Sequence, residues 1–249
     1  MKIVAMIPAR MGSTRFPGKP LAPILGRSML EHVYKRTALA KSLSDVYVAT
    51  CDAEISAAVG AFGGHAIMTS DRHERASDRI AEAASGIEAD VIVMVQGDEP
   101  MVHPEMIEAA VAPMRLNADI SCVNLKLRID DEADFKDRNT IKVVTDAQGR
   151  ALYMSRQPIP DAMGQSFARI DAFKQVCIMP FRRDALLGFA ELAPTALEIA
   201  ESIDMLRFLE HGYPVHMVET TLPTQAVDTP DDLARVERLM RDDPLVSTY

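Results

Sequence analysis

Apolar runs of about six residues, rich in Val, Ile and Ala, alternate with stretches of helical periodicity through the first half of the chain, the pattern of successive βαβ units. Residues 3–9 (IVAMIPA) predict a first strand, and 29–40 a helix with Met29, Val33, Arg36 and Thr37 on one face. A strand over 46–50, a helix over 53–62 closed by Gly63-Gly64, and a short strand over 65–68 follow. Ser77, with acidic Asp78 behind it, marks the start of a helix over 77–84. The run DVIVMVQ at 90–96 is almost wholly apolar, as a central strand covered on both faces requires, and leads straight into Gly97-Asp98-Glu99-Pro100.

Beyond a helix over 104–115 and a strand over 120–127 the alternation changes. Residues 130–137 read as a charged loop, and 141–145 with 151–155 as a β-hairpin about Gln148-Gly149. A short strand over 175–180, one helix over 195–210 ended by His211-Gly212, a strand over 215–219, and a last helix over 230–241 opened by Asp228-Thr229-Pro230 complete the chain. The predicted fold class is α/β: a Rossmann-like, mostly parallel sheet with helices on both faces, plus the hairpin.

Composition narrows this picture. At 249 residues and 48% apolar content the chain suits one large domain, 1–249, better than two small ones. It contains no apolar run near the ~18 residues of a membrane span, and its opening MKIVAMIPAR lacks the pattern of a signal peptide. Cys51, Cys122 and Cys177 are odd in number and far apart, which argues against disulfides and a zinc site and makes the cytoplasm the expected compartment. A net charge of −9 disfavours nucleic acid as a partner. Against that acidic background Arg10, Arg15 and Lys19 form a local cationic cluster, which suggests a specific anion site.

The cluster sits in PARMGSTRFPGKP, directly after the first strand, where open α/β sheets place their ligands. Small residues let backbone amides approach phosphate oxygens, and three cations can balance a triphosphate. A Walker A loop does not fit: five residues rather than four separate Gly12 from Gly18, and Pro20 stands where Ser or Thr would hold magnesium. No G-x-G-x-x-G is present to suggest hydride chemistry. Asp98, ending the buried strand, and Asp228, before the last helix, can sit at one end of the sheet and share a magnesium ion, which needs few carboxylates beside phosphate and water. Taken singly, each is as well explained as a turn or capping residue.

The stretch IPARMGSTRFPGKPL resembles the N-terminal signature of the CMP-sugar synthetases, in particular the 3-deoxy-manno-octulosonate (Kdo) cytidylyltransferases. Similar wording continues in order through HVYKR (32–36), SDRIAEA (77–83), VMVQGDEP (93–100), IKVV (141–144), ALYMSRQPIP (151–160) and VDTPDDL (227–233). The resemblance implies a nucleotide-diphospho-sugar transferase fold and a CTP-dependent cytidylyltransferase that activates Kdo or a similar acidic sugar for cell-surface polysaccharide synthesis. Arg10, Lys19 and Asp98 would be catalytic, and Asp98 and Asp228 the Mg2+ ligands. Ala9, Arg10, Ser13, Arg15, Lys19, Ser77, Arg79 and Gln96 would form the nucleotide site. Gln175, Met179, Glu198 and Arg156 would face the sugar. It also implies a homodimer, with 130–170 as a dimerisation insertion.

The second half departs from the Kdo pattern. Where that family reads K-H-I-G-I-Y, this chain has Lys174-Gln175-Val176-Cys177-Ile178-Met179, and Met205 replaces a Gln. A site built to hydrogen-bond a hydroxyl rejects ligands that leave it unpaired, so these changes point to an altered acceptor, with Arg75, Arg156 or Arg169 free to meet a carboxylate. Core methionines would explain them equally well. Two other readings stand beside the first: a same-fold nucleotidyltransferase for a phosphorylated or phosphonate acceptor, and a non-catalytic nucleotide-binding paralogue.

Overall fold

Alternation along the first strand divides the interior into two layers. In β1 (Ile3–Ala9), Ile3, Ala5, Ile7 and Ala9 enter one apolar cluster, while Val4 and Met6 enter another on the opposite face. A period-two element covered on both sides must behave in this way. The computed structural model describes residues 1–12, 15–164 and 166–249. After β1 come a 3-10 turn (Lys19–Leu21), a small hairpin of β2 (Pro23–Ile24) and β3 (Arg27–Ser28), and α1 (Met29–Ala38). The Ser28 hydroxyl accepts from the Glu31 N–H and caps that helix. There follow β4 (Asp45–Thr50), α2 (Ala53–Ala61), β5 (His65–Met68), α3 (Ala76–Ser85), β6 (Val91–Val95) and α4 (Pro104–Leu116).

The second half supplies β7 (Val123–Arg128), α5 (Glu132–Lys136), β8 (Lys142–Thr145), β9 (Ala151–Ser155), β10 (Phe173–Val176), β11 (Ile178–Arg182), α6 (Arg183–Glu191), α7 (Ala196–Glu201), α8 (Met205–Glu210), β12 (His216–Thr220) and α9 (Pro230–Arg241). One sheet runs β11-β6-β1-β4-β5, parallel except for β11, and the other β12-β7-β10-β8-β9. Helices α1, α2 and α4 bury Leu30, Val33, Ile55, Val59 and Met106 on one face of the first sheet, whereas α3, α6 and α8 bury Ile80, Leu186, Phe189 and Phe208 on the other. The α/β class with helices on both faces is therefore what forms. Among the described residues, no helix is long and apolar enough to cross a membrane.

Several expected elements divide or shift. The single strand over 175–180 is two strands in different sheets: β10 pairs with β7 and β8, β11 pairs with β6, and Cys177 is the crossing point. Apolar periodicity records burial but not a change of partner, so this crossing has no signature in the pattern. The helix over 195–210 breaks at Ser202, which adopts a left-handed φ of 55°. That conformation is uncommon for a non-glycine residue and is held by tertiary contacts, with the Ser202 hydroxyl accepting from Arg75 Nη1 at 2.7 Å and its carbonyl from Arg156 Nη2 at 3.2 Å. Residues 130–137 hold the short helix α5, capped by Asp131 and anchored by buried Phe135. The third helix begins at Ala76 rather than Ser77, with Arg75 at the N-cap position. Helix α6 and the small hairpin were not expected.

A polar cluster joins α1 to the end of the chain. His32 and Arg36 are fully buried, and the Tyr249 hydroxyl lies 2.8 Å from His32 Nδ1 and 3.0 Å from Arg36 Nε. His32 Nε2 is 2.8 Å from the Ile24 carbonyl, which can only accept, so Nε2 carries the hydrogen. The bonds then run in one direction: Arg36 donates to Tyr249, Tyr249 to His32 Nδ1, and His32 to Ile24. This order requires a neutral imidazole. Burial, with help from Arg36 and Arg27 and against Glu31, holds the His32 pKa below its ordinary value. As pH falls below ~6.5 the unfolded chain takes up this proton before the folded one, so stability is full above that value and falls below it, by at most ~1.4 kcal/mol per pH unit from this group. Thermal unfolding followed from pH 7.5 to 5.0 is expected to show a steeper decline for the native chain than for His32→Gln.

Candidate active site

The carboxyl ends of β1 and β6 approach each other so closely that only glycine fits between them. A Cβ on Gly97 would lie 2.7 Å from the Pro8 carbonyl oxygen. This contact opens the cleft into which the loop after β1 and the turn after β6 both project. Gly18, in a left-handed conformation with φ 72°, turns the loop into the 3-10 segment that presents Lys19. Lys19 Nζ donates to Asp98 Oδ2 at 2.8 Å, to the Val227 carbonyl at 2.7 Å and to Asp228 Oδ1 at 3.5 Å. Arg15 donates to Asp228 Oδ1 at 2.9 Å and to Asn139 Oδ1 at 2.7 Å. Two cations and two carboxylates, widely separated in sequence, thus form one cluster, tied further by the Val227 N–H donating to the Asp98 carbonyl at 2.9 Å.

The cluster borders a cleft of about 300 Å³ lined also by Ala9, Arg10, Arg79 and Gln96. Arg10 is exposed and has no ion pair or hydrogen bond among the described residues. Arg79 is almost fully buried and spends its guanidinium on the Thr69 hydroxyl at 2.6 Å and the Ser70 carbonyl at 3.2 Å, so it shapes the cleft wall over 69–73. Ser77 does not line the cleft: it is fully buried and gives its hydroxyl to Asp204 at 2.7 Å. Ser13 lies outside the described residues.

A second cleft of about 410 Å³ continues from the first, sharing Arg15, Arg75, Gln96, Asp98 and Asp228 with it. Gln175, Met179, Met205 and Arg156 line it, together with Lys174, which the sequence reading had not singled out. Gln175 turns its amide inward, donating to Asn124 Oδ1 at 2.6 Å and approaching Met179 Sδ at 3.6 Å. Arg156 is fixed by the carbonyls of Glu201, Arg138 and Ser202. Arg169 lines neither cleft. Glu198 also lies away from both: it is fully buried and paired with Arg207 through two bonds of 2.6 and 2.7 Å. Its i+9 spacing to Arg207 across the break at Ser202 does not reveal this pairing. Glu99, beside Asp98, is buried and accepts from the Thr224 hydroxyl at 2.7 Å; burial, then the Asp98 charge, push its carboxyl up to about 7.

Asp98 and Asp228 suit magnesium, the metal that the family resemblance implies. Both offer hard carboxylate oxygens, both converge on Lys19 Nζ, and their side chains are 29% and 21% exposed at the cleft. No group of three or more His, Cys, Asp or Glu poised to hold a metal occurs among the described residues. The remaining positions around such an ion would fall to phosphate and water, which magnesium accepts readily.

Asp52 was not anticipated at the site. It stands at the N-cap position of α2, yet its carboxylate accepts from the Met11 N–H at 2.8 Å and so braces the loop after β1. The sequence signal was its place just after β4, at the same sheet end as the loop. Asp52→Ala is expected to raise the KM for CTP about tenfold, as loss of a hydrogen bond to a charged acceptor should, while Asp52→Asn keeps an acceptor and restores most of it. Steady-state kinetics with CTP varied would check this.

The sequence model of the Cytidylyltransferase family matches residues 4–221. The chain is 50% identical to a protein of Geobacter metallireducens named 3-deoxy-manno-octulosonate cytidylyltransferase, over 97% of this chain and 99% of that one. It is 45% identical to a protein of the same name from Solibacter usitatus, over 96% and 95%. Among solved structures, a CMP:2-keto-3-deoxy-manno-octonic acid synthetase complexed with CTP superposes with a TM-score of 0.90 at 38% identity, covering 98% of this chain and all of that one. A cytidylyltransferase from Leptospira borgpetersenii superposes at 0.64 with 18% identity, over 97% and 87%, and speaks to the fold alone.

Proposed function

We propose that this chain, which belongs to the cytidylyltransferase family, transfers CMP from CTP to a hydroxyl of 3-deoxy-manno-octulosonate and releases pyrophosphate. The observation that carries the reading is the continuity of the two clefts at Asp98, Asp228, Arg15 and Gln96: a triphosphate in the first would present its α-phosphorus to an acceptor in the second. Arg10, Lys19 and Arg15 bind the phosphates, and Ala9 and Gln96 border the nucleotide. Arg75, Arg156 and Lys174 give the acceptor cleft positive charge suited to a sugar carboxylate. The acceptor hydroxyl oxygen bonds to the α-phosphorus and gives up its proton to solvent as the bond to pyrophosphate breaks opposite it, and the cations of the loop offset charge on the leaving oxygens. Mg2+, held by Asp98 and Asp228, would supply further neutralisation of phosphate charge. The reading extends to a cytoplasmic homodimer, built partly from 130–170, that serves cell-surface polysaccharide synthesis.

Pyrophosphate release with CTP, measured against Kdo, its 8-amino analogue, sialic acids and simple phosphonates, tests this. The expected product is a CMP monophosphodiester of Kdo. A second reading, a phosphorylated or phosphonate acceptor, draws on the inward-turned Gln175 and apolar Met179, and formation of a CDP diester in place of CMP-Kdo would establish it. Absence of pyrophosphate release with every acceptor would overturn both.

A further inference from the structure

Asp228 hangs on a weakly anchored helix. Helix α9, which follows it, buries Val236 and Met240 and packs Leu233 partly, in a small apolar cluster with Ile24, Met29 and Val227 that is separate from the two large ones. Two fully buried side chains and one partly buried one are a thin attachment for a segment that must keep one carboxylate in place. The far end of the same segment is held more firmly. Asp243 accepts from Arg36 Nη2 at 2.5 Å, the Tyr249 hydroxyl joins Arg36 and His32, the Tyr249 carbonyl accepts from Arg27 Nη2 at 2.8 Å, and the Tyr249 ring packs 5.2 Å from the Arg27 guanidinium. The bond from His32 to the Ile24 carbonyl carries this anchorage to β2, which follows the 3-10 turn of Lys19.

We infer that Tyr249 is a positioning residue: it latches the segment from Asp228 to the end of the chain onto α1 and β2, and thereby keeps Asp228 and the Val227 carbonyl in register with Lys19. The two ends of the strap meet the same stretch of chain, since Lys19 binds Val227 and Asp228 while His32 and Arg36 bind Tyr249. Releasing the latch leaves α9 on Leu233, Val236 and Met240, and the 227–229 lip on its own bonds to Asp98 and Lys19, so that the lip opens more often from the loop after β1. The inference rests on the reading that Asp228 serves the active site, but its primary measurement is independent of turnover.

Amide hydrogen exchange of the metal-free protein tests it. Tyr249→Ala is expected to raise exchange at 227–229 about tenfold while β1 and β6 keep their protection, and Tyr249→Phe, which retains the ring but loses the hydroxyl bonds, to fall between. In the loaded enzyme, Tyr249→Ala should raise the half-saturating Mg2+ concentration several-fold. Arg241→Ala, on the solvent face of α9, should alter neither. Native exchange at 227–229 in Tyr249→Ala would overturn the inference, and so would a uniform rise across β1 and β6, which would make Tyr249 a general stability residue. Should Tyr249→Ala not fold, Tyr249→Phe and Asp243→Asn carry the same comparison. If the native chain releases no pyrophosphate with any acceptor, the proposed function fails while the exchange result still decides the latch.

Discussion

Asp98→Asn is expected to lower kcat about 10²- to 10³-fold while CTP binding is largely kept, the size of loss typical when a group that stabilises transition-state charge is removed from a preorganised site. Asparagine preserves the shape of the turn after β6 and can still accept from Lys19 Nζ, which also keeps Val227 and Asp228 as partners. What disappears is one of the two carboxylate charges that would hold Mg2+, and with it the neutralisation of phosphate charge that the ion would supply. The nucleotide cleft, with Arg10, Gln96 and the loop backbone, is otherwise unchanged. Pyrophosphate release and calorimetric CTP titration on the same preparation separate the two effects, and turnover equal to the native chain would remove Asp98 from the mechanism.

Arg207→Met should destabilise the protein by about 3 kcal/mol, because it leaves the buried Glu198 carboxylate with only the longer 3.8 Å pairing to Arg75 and leaves Asp78 without its partner. The Arg207 guanidinium is itself buried, bonded to Glu198 at 2.6 and 2.7 Å and to Asp78 at 2.9 and 3.4 Å, and it lies 4.3 Å from the centre of the Phe189 ring. For a chain of this length that loss corresponds to a fall in Tm on the order of 10 °C. The double variant Arg207→Met, Glu198→Leu removes both charges and is expected to recover most of the loss, as apolar replacements of buried ion pairs commonly do. Calorimetry of the three proteins checks the prediction. A sugar-binding role for Glu198 would give the opposite signature: Glu198→Gln would change the acceptor KM with little effect on Tm.

The first sheet was legible because its strands are covered on both faces and its helices on one, so each side chain's environment follows from its own position in the period. Asp98 and Lys19 were found in the same way, at the ends of elements whose direction was already clear. Asp228 was harder, and its pairing with Lys19 depends on a segment more than 200 residues away in sequence. The second half was less legible. Gln175 and Met179 lie on what reads as one apolar strand, yet the chain changes sheets between them. Glu198, Ser77 and Arg79 match family wording, but their partners (Arg207, Asp204 and the 69–73 backbone) lie across breaks and turns that no local pattern specifies.

The crossing at Cys177 has a bearing on how such an enzyme can diverge. The loop after β1 and Asp98 follow strands of the first sheet, while Gln175, Arg156 and the 137–141 segment that line the second cleft belong to the second sheet or to its connections. If the second cleft takes the acceptor, substitutions on the second sheet would retune it largely apart from β1, although Met179 of β11 and Met94 of β6 bring the first sheet into its wall as well. The two clefts meet along a seam of shared residues that includes Arg15, Arg75, Gln96, Asp98 and Asp228, and changes there would be felt on both sides.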